Sequence, residues 1–168
     1  MFKLHHRINR ILIKLSYRFG ASKLFSMPKM LALDPTNLCD LKCPLCPTGL
    51  RDKTVQRGSI KLEQFKIIVN RLGKYLQSIN LYSWGEPLLH KSLVDMIRHT
   101  AINHKIRTIT SVHLGNLSDE QVEGLATSRL DKLIVSVDGA TQEVYEKYRV
   151  GGNIENVFTN MKRLIEAK

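Results

Sequence analysis

The sequence predicts an α/β domain with a parallel sheet of about four strands, preceded by a basic amphipathic helix. After residue 29, short apolar runs alternate with segments of helical periodicity, and strands buried between helices indicate parallel pairing with right-handed crossovers. From the second strand on, the predicted strands start about 27 residues apart, which is a normal length for βα units. We therefore expect a lead helix in residues 1–28 and one α/β domain in residues 29–168.

Length and composition limit the chain to one ordinary domain. Its 168 residues, 43% of them hydrophobic, suffice for one core. The formal net charge of +11 favours an anionic partner such as nucleic acid, a membrane surface or an acidic protein. No apolar run approaches the about 18 residues of a membrane span, and Lys14 interrupts the best candidate for the core of a signal peptide. We therefore expect a cytoplasmic protein with no transmembrane segment.

The lead segment is basic and has helical periodicity. No acidic residue precedes Asp34. The apolar residues at helical spacing are Leu4, Ile8, Ile11, Leu12, Leu15 and Phe19, and the basic residues one position behind them are Lys3, Arg7, Arg10, Lys14 and Arg18. Such a helix could lie at a membrane interface, bind RNA, or cap the bottom of a β/α barrel. We favour the cap, because an apolar stripe is most often part of a core.

Periodicity and turn residues predict the elements of the domain in order. Strands are predicted at 30–33, 79–84, 106–112 and 131–137, and helices at 62–76, at 93–101, from 119 and at 154–168. Residues 48–59 are polar without periodicity, which predicts a long loop. Ser118 to Gln121 form a capping box, and Asn153 is placed to cap the last helix.

All three cysteines lie in one loop directly after the first strand. Cys39, Cys43 and Cys46 are separated by three and then two residues, and such a thiolate group suits zinc or an iron–sulfur cluster. A structural zinc site normally closes with a fourth Cys or His, and no histidine lies within a short loop of Cys46. An odd cysteine count and the tight spacing count against a disulfide. The loop by itself favours an iron–sulfur site over zinc, with a redox role or chance as the remainder.

Three segments in order resemble the motifs of the radical S-adenosylmethionine (SAM) superfamily. Residues 33–49 resemble its cluster loop, residues 84–89 its glycine-glutamate-proline motif after the second strand, and residues 135–139 and 148–152 its fourth strand and the turn beyond. The resemblance covers roughly residues 30–168 and is to the N-terminal portion of the MoaA/NifB/SPASM-like branch. It implies a partial TIM-like (β/α) barrel, with about four βα units present of the expected six.

The resemblance implies two cofactors, a 4Fe–4S cluster and SAM. Cys39, Cys43 and Cys46 would each bind one iron, and SAM would chelate the fourth iron through its amino and carboxylate groups. The implied chemistry is reductive cleavage of SAM to a 5'-deoxyadenosyl radical that abstracts hydrogen from a substrate, with electrons from a donor such as flavodoxin or ferredoxin. The chain would then be an oxidoreductase-type enzyme, truncated, and weak or inactive alone because strands are missing.

The implied SAM-binding residues follow the second and fourth strands. Gly85 and Glu86 lie where unpaired backbone carbonyls can accept hydrogen bonds from the SAM ammonium. Ser136 could hold the ribose or carboxylate of SAM, and the guanidinium fork of Arg149 suits the carboxylate. Active sites of such barrels lie at the carboxyl ends of the strands, so these residues should be neighbours. His113, after the third strand, could touch substrate or carry a proton, although a loop histidine is more often structural.

The substrate remains open from the sequence. The motifs resemble most those of enzymes that act on peptides, cofactors or sugar-type metabolites. The positive charge leaves an RNA-modifying radical SAM enzyme as an alternative, with nucleic acid as a less favoured partner. The rival from another class is a non-enzymatic zinc-binding module. No residue is assigned a catalytic role toward substrate.

Overall fold

Four parallel strands in the order β1-β2-β3-β4 form the sheet. The computed structural model describes residues 2–168, with side chains from Leu4 onward, so the side chain of Lys3 lies outside the description. The strands are β1 (Met30–Ala32), β2 (Ser78–Asn80), β3 (Arg107–Val112) and β4 (Lys132–Val135). The helices are α1 (Phe2–Arg18), α2 (Leu62–Leu72), α3 (Leu93–Arg98), α4 (Asp119–Thr127), α5 (Gln142–Tyr148) and α6 (Ile154–Glu166). The predicted α/β class and its four βα units are confirmed.

Several elements differ from the expected ones. Helix α2 ends at Leu72 rather than at residue 76, and α3 ends at Arg98 and is followed by a π-helical turn over His99–Asn103. Strand β4 ends at Val135 rather than at residue 137.

Strand β2 ends at Asn80 rather than at residue 84. Beyond its end, the Trp84 N–H is turned onto the Asp34 carboxylate, 3.2 and 3.3 Å from its two oxygens. The short helix α5, whose first turn is capped by Thr141, was not expected. Its seven residues are too few for an apolar period to stand out.

The predicted helix caps of α4 and α6 are confirmed. Ser118 Oγ accepts a hydrogen bond from Gln121 N at 3.2 Å, while the Gln121 side chain accepts one from Ser118 N at 3.0 Å. Asn153 Oδ1 accepts a hydrogen bond from Asn156 N at 3.0 Å. Each cap satisfies N–H groups that a helix start leaves without partners.

The core lies between the sheet and the helices that cover it. Register pairs Leu31 with Ile79 and Ile79 with Thr108, which places these side chains on the helix-covered face. Fully buried large side chains come from α2, β2, α3, β3, α5, α6 and the segments beside them: Phe65, Val69, Leu76, Ile79, Leu81, Met96, Ile97, Ile106, Val112, Leu114, Tyr145 and Val157. Burial of each aliphatic one contributes about 1.5–3 kcal/mol. This layer fixes the strand ends, and with them the loops that follow.

Helix α1 is attached through the face that carries Asn9, on which Leu12, Ile13 and Ser16 are half-buried. Asn9, 5% exposed, donates a hydrogen bond from Nδ2 to Met27 O at 2.8 Å and accepts one at Oδ1 from Met27 N at 2.7 Å. Successive helical residues are rotated by about 100°, so an inward Asn9 turns Ile8, Ile11 and Leu15 outward. Ile8 and Ile11 are 49% and 56% exposed, and Leu12 alone in the described stripe is half-buried. The prediction that the stripe caps the domain is therefore wrong for the other described stripe residues. No described helix is long and apolar enough to cross a bilayer.

Changing Ile8 and Ile11 together to Asp is expected to leave the melting temperature within about 2 °C of the unchanged chain, because neither side chain gives up a buried site. Thermal melting followed by circular dichroism measures this. Phe65→Ala is the control, because Phe65 is fully buried and its truncation should cost about 3–5 kcal/mol. If the double variant melts as low as Phe65→Ala, the stripe is packed in a core after all.

Candidate functional site

The carboxyl ends of the strands surround a cavity of about 240 Å³. Its lining includes every residue that the sequence assigns to the site: Cys39, Cys43, Cys46, Gly85, Glu86, His113, Ser136 and Arg149. These residues come from loops after β1, β2, β3 and β4. The parallel topology therefore brings together side chains that are more than 100 residues apart in sequence.

The cysteine loop follows β1 and is held by backbone hydrogen bonds within the loop and to the segment after α5. Cys43 is buried, while Cys39 and Cys46 are half-buried, and all three thiols are free. The N–H of Cys46 donates to Cys43 O at 3.2 Å, and the N–H of Lys42 donates to Val150 O, beyond α5, at 3.0 Å. Three unbridged thiols in one cavity form a soft donor set, which fits a 4Fe–4S cluster.

Gly85 is required where the loop after β2 crosses the cysteine loop. A Cβ at this position would stand 1.9 Å from Thr36 O and 2.8 Å from the Asn37 Cα. In the next residue, Glu86 N donates to Leu38 O at 2.8 Å. The close approach that the missing side chain permits is thus to the backbone just before Cys39.

The Glu86 carboxylate is turned into the protein. The residue is only 4% exposed, and its Oε2 accepts a hydrogen bond from His113 N at 2.8 Å while Oε1 accepts one from Leu88 N at 3.2 Å. Burial raises the pKa of Glu86, against the charge of His113 and these backbone hydrogen bonds. Glu86 therefore ties the loop after β2 to the loop after β3, and its contact with SAM stays a prediction.

His113 links the loop after β3 to the cysteine loop. Its Nε2 lies 2.8 Å from Asp40 Oδ1 and 3.4 Å from Glu86 Oε2, and its Nδ1 accepts a hydrogen bond from Gly115 N at 3.0 Å. Burial alone would lower the pKa of His113, but hydrogen bonds to Asp40 and Cys39 and the two carboxylate charges outweigh it and raise the pKa to about 10. In a protonated ring Nδ1 carries a hydrogen, so it can no longer accept the hydrogen bond from Gly115 N.

The contacts of His113 show whether a histidine can reach the cysteine loop and whether that histidine could complete a structural zinc site. The ligand atoms of Cys39, Asp40 and His113 lie within 4.8 Å of one another, so a histidine that follows a different strand does reach one of the cysteines, Cys39. Both of its ring nitrogens are engaged inside the protein, which counts against His113 as the fourth ligand of a structural zinc. Sequence reasoning missed Asp40, and the only local signal was a carboxylate between two cysteines.

Replacement of His113 by Ala is expected to lower the free energy of unfolding by about 3 kcal/mol, because the buried Glu86 would face Asp40 without the ring between them. Urea denaturation measures the loss. His104→Ala is the matched control, since His104 is only half-buried and bonds Asn70 at 2.8 Å; we expect about 1 kcal/mol or less there. Equal losses in the two variants would mean that the network adds nothing to stability.

Ser136 and Arg149 lie on the side of the cavity formed by β4 and α5. Ser136 Oγ is 3.4 Å from Ser111 Oγ. The Arg149 guanidinium donates to the Asp138 carboxylate through Nε, and its Nη1 is 3.9 Å from Cys43 Sγ. Burial raises the pKa of the Cys43 thiol, and the charge of Arg149 opposes that shift. A SAM carboxylate at Arg149 would share the guanidinium with Asp138, and contact of SAM with either residue stays a prediction.

The chain is similar in sequence to a known family and to several curated proteins. The chain matches the family model of the Radical SAM superfamily over residues 33–168. It is 32% identical over 134 residues to a probable GTP 3',8-cyclase of Methanococcus maripaludis, covering 80% of this chain and 44% of that protein. It is 31% identical over 136 residues to a PqqA peptide cyclase of Rhodopseudomonas palustris, covering 79% and 34%. The chain thus spans less than half the length of these curated relatives.

A solved structure matches the fold closely. Streptococcus suis SuiB superposes with a TM-score of 0.74 in its complex with S-adenosylmethionine and 0.73 in its complex with precursor peptide SuiA. Both matches have 19% sequence identity and cover 94% of this chain, but only 35% and 34% of SuiB. The likeness confirms the predicted partial TIM-like barrel.

Proposed function

We propose a function for this chain on the premise that it belongs to the radical SAM superfamily, whose family model it matches over residues 33–168. The resemblance inferred from the three motifs is confirmed, including the MoaA/SPASM-like branch. The superfamily uses a 4Fe–4S cluster and SAM, so the predicted cofactors are confirmed with it. Membership of the superfamily does not by itself give the activity, substrate or partners of the whole protein, and these are proposals.

The proposed function is that of a radical SAM enzyme acting on a peptide, cofactor or sugar-type substrate. The supporting observation is that three free cysteines share one cavity with Gly85 and Ser136 at the carboxyl ends of four parallel strands. When bound, the cofactors would supply a 5'-deoxyadenosyl radical, formed by reductive cleavage of SAM, that abstracts hydrogen from the substrate.

The chain's own residues would bind the cluster and keep the cysteine loop in position. Cys39, Cys43 and Cys46 would each bind one iron, and the Arg149 cation beside Cys43 would favour its thiolate. The buried hydrogen bonds of His113 with Asp40 and Glu86 would keep the cysteine loop in one geometry. The other lining residues would limit access of water to the cavity.

Among the substrate classes, we favour a peptide. One curated relative, the PqqA peptide cyclase, and one structural neighbour, SuiB with its precursor peptide, carry peptides in their names, while another relative is a probable GTP 3',8-cyclase. The cavity lining also includes Leu45 and Trp84, which are 80% and 54% exposed, and such apolar side chains suit contact with a peptide. An acidic electron donor such as flavodoxin or ferredoxin would be attracted by the net charge of +11. A cytoplasmic location remains a prediction.

The test is release of methionine and 5'-deoxyadenosine by the anaerobically reconstituted chain with SAM and a strong reductant, measured by liquid chromatography. We expect equimolar products at about one turnover per chain or fewer, because four βα units leave the barrel wall incomplete. Cys43→Ala under the same conditions is the control and should release neither product. Release no greater than that of the control would contradict the proposed function, and rapid multiple turnover would contradict the expected weakness.

A further inference from the structure

Helix α1 presents its apolar stripe to solvent. The exposed apolar side chains of α1 and the segment after it are Leu4, Ile8, Ile11, Leu15, Tyr17, Phe19, Leu24 and Phe25, and Phe25 is 88% exposed. The anchoring contact with Met27 is made from the other side of the helix, through Asn9. Five of them fall within about 80° of one another on one face of the helix, namely Leu4, Ile8, Ile11, Leu15 and Phe19. An exposed apolar patch of this kind on a small protein marks a surface that is covered by something else.

Cations lie directly beside the stripe. At about 100° per residue, Arg7, Lys14 and Arg18 fall next to Ile11 on one flank of the helix, and all are exposed. Arg10 continues this flank. None of the ion pairs among the described residues involves these four cations. The surface therefore combines exposed apolar side chains with unneutralised positive charge.

The combination indicates the kind of partner. An RNA would use the cations but has no need of aliphatic side chains, because RNA affinity rests on phosphate contacts and base stacking. A purely apolar partner would use the stripe and gain nothing from the cations beside it. A bilayer with anionic headgroups uses both, since the stripe enters the acyl boundary while the cations stay among the headgroups.

We propose that α1, with Phe19, is an interfacial anchor that lies in the plane of an anionic lipid bilayer and holds the α/β domain at the membrane surface. The attachment of α1 through Asn9 leaves the exposed part of the apolar stripe available without unfolding any part of the core. The proposal does not depend on the cysteine cavity or its chemistry, so its failure would leave the proposed function untouched.

Vesicle co-sedimentation of the purified chain tests the anchor. At about 0.1 M salt, where surface charges still act over roughly 10 Å, we expect binding to vesicles of equal parts phosphatidylcholine and phosphatidylglycerol, and little binding to phosphatidylcholine alone. The change of Arg7, Arg10 and Lys14 together to Glu should lower the partition coefficient by at least about a hundredfold. Ile8→Ser with Ile11→Ser should lower it by about tenfold or more.

A charge-matched control variant and two further assays distinguish a bilayer from RNA or a second copy of the chain as the partner of the stripe. Lys132, Lys162 and Lys168 changed together to Glu make the same change in net charge on exposed positions elsewhere, and this variant should bind like the unchanged chain. The proposal is overturned if this control loses as much binding as the α1 variant, or if neither vesicle binds. It is also overturned by tighter binding to a single-stranded RNA that survives the Ile8 and Ile11 changes, or by self-association in sedimentation that those changes abolish.

Discussion

Thiolate-bound iron absorbs at about 400 nm after anaerobic reconstitution. We expect each single change of Cys39, Cys43 or Cys46 to Ala to remove almost all of this absorbance. The three thiols are free and line the same cavity, and the remaining two cannot hold three irons of a cluster. Optical spectra of the variants, each measured at equal protein concentration, check this.

Ser83→Ala is the control for the cysteine variants, because Ser83 lines the same cavity and the change removes a side-chain heteroatom of similar size. Its absorbance should match that of the unchanged chain. Full absorbance in any one cysteine variant would remove that residue from the ligand set and leave the assignment of three ligands wrong.

Gly85→Ala is expected to lower the free energy of unfolding by about 3 kcal/mol, with a parallel fall in iron incorporation. The new Cβ would meet Thr36 O at 1.9 Å, and the backbone on either side is held, since Glu86 N bonds Leu38 O. Overpacking against backbone forces a shift of one loop or the other, and either shift moves Cys39. Urea denaturation and iron analysis of the same preparation measure the two effects.

Gly58→Ala is the matched control. A Cβ at Gly58 would meet nothing within 4 Å, although its backbone also takes part in the loop, where Gly58 N donates to Asn37 Oδ1 at 2.7 Å. We expect a change of about 0.5 kcal/mol or less. A Gly85→Ala variant as stable as Gly58→Ala would show that the contact of the two loops is loose.

The sequence predicted those parts of the fold that depend on neighbours along the chain. Apolar periods located all four strands, and the caps at Ser118 and Asn153 follow from side chains bonding the next turn. The ends of the strands were less well predicted. Strand β2 ends before residue 84, and Trp84 instead bonds Asp34, 50 residues upstream. No local pattern reports such a contact.

The site residues that belong to local motifs were predicted from the sequence. The contacts between residues far apart in sequence were missed. The spacing of the three cysteines and the Gly85-Glu86 pair are visible in the sequence. The contact of His113 with Asp40 joins residues 73 positions apart, and only the parallel topology brings them together. The outward turn of α1 was missed for a related reason: periodicity reveals an apolar face, but the contact of Asn9 with Met27 decides which way it points.

The metal content of the anaerobically purified and reconstituted chain tests the central claim most directly, namely that the three cysteines hold an iron–sulfur cluster with one open iron. Iron, acid-labile sulfide and zinc are measured in the same sample. The account predicts about four iron atoms and four sulfide ions per chain, with zinc well below one. Stoichiometric zinc without iron or sulfide would contradict it, and would make the chain a zinc-binding module on a radical SAM fold.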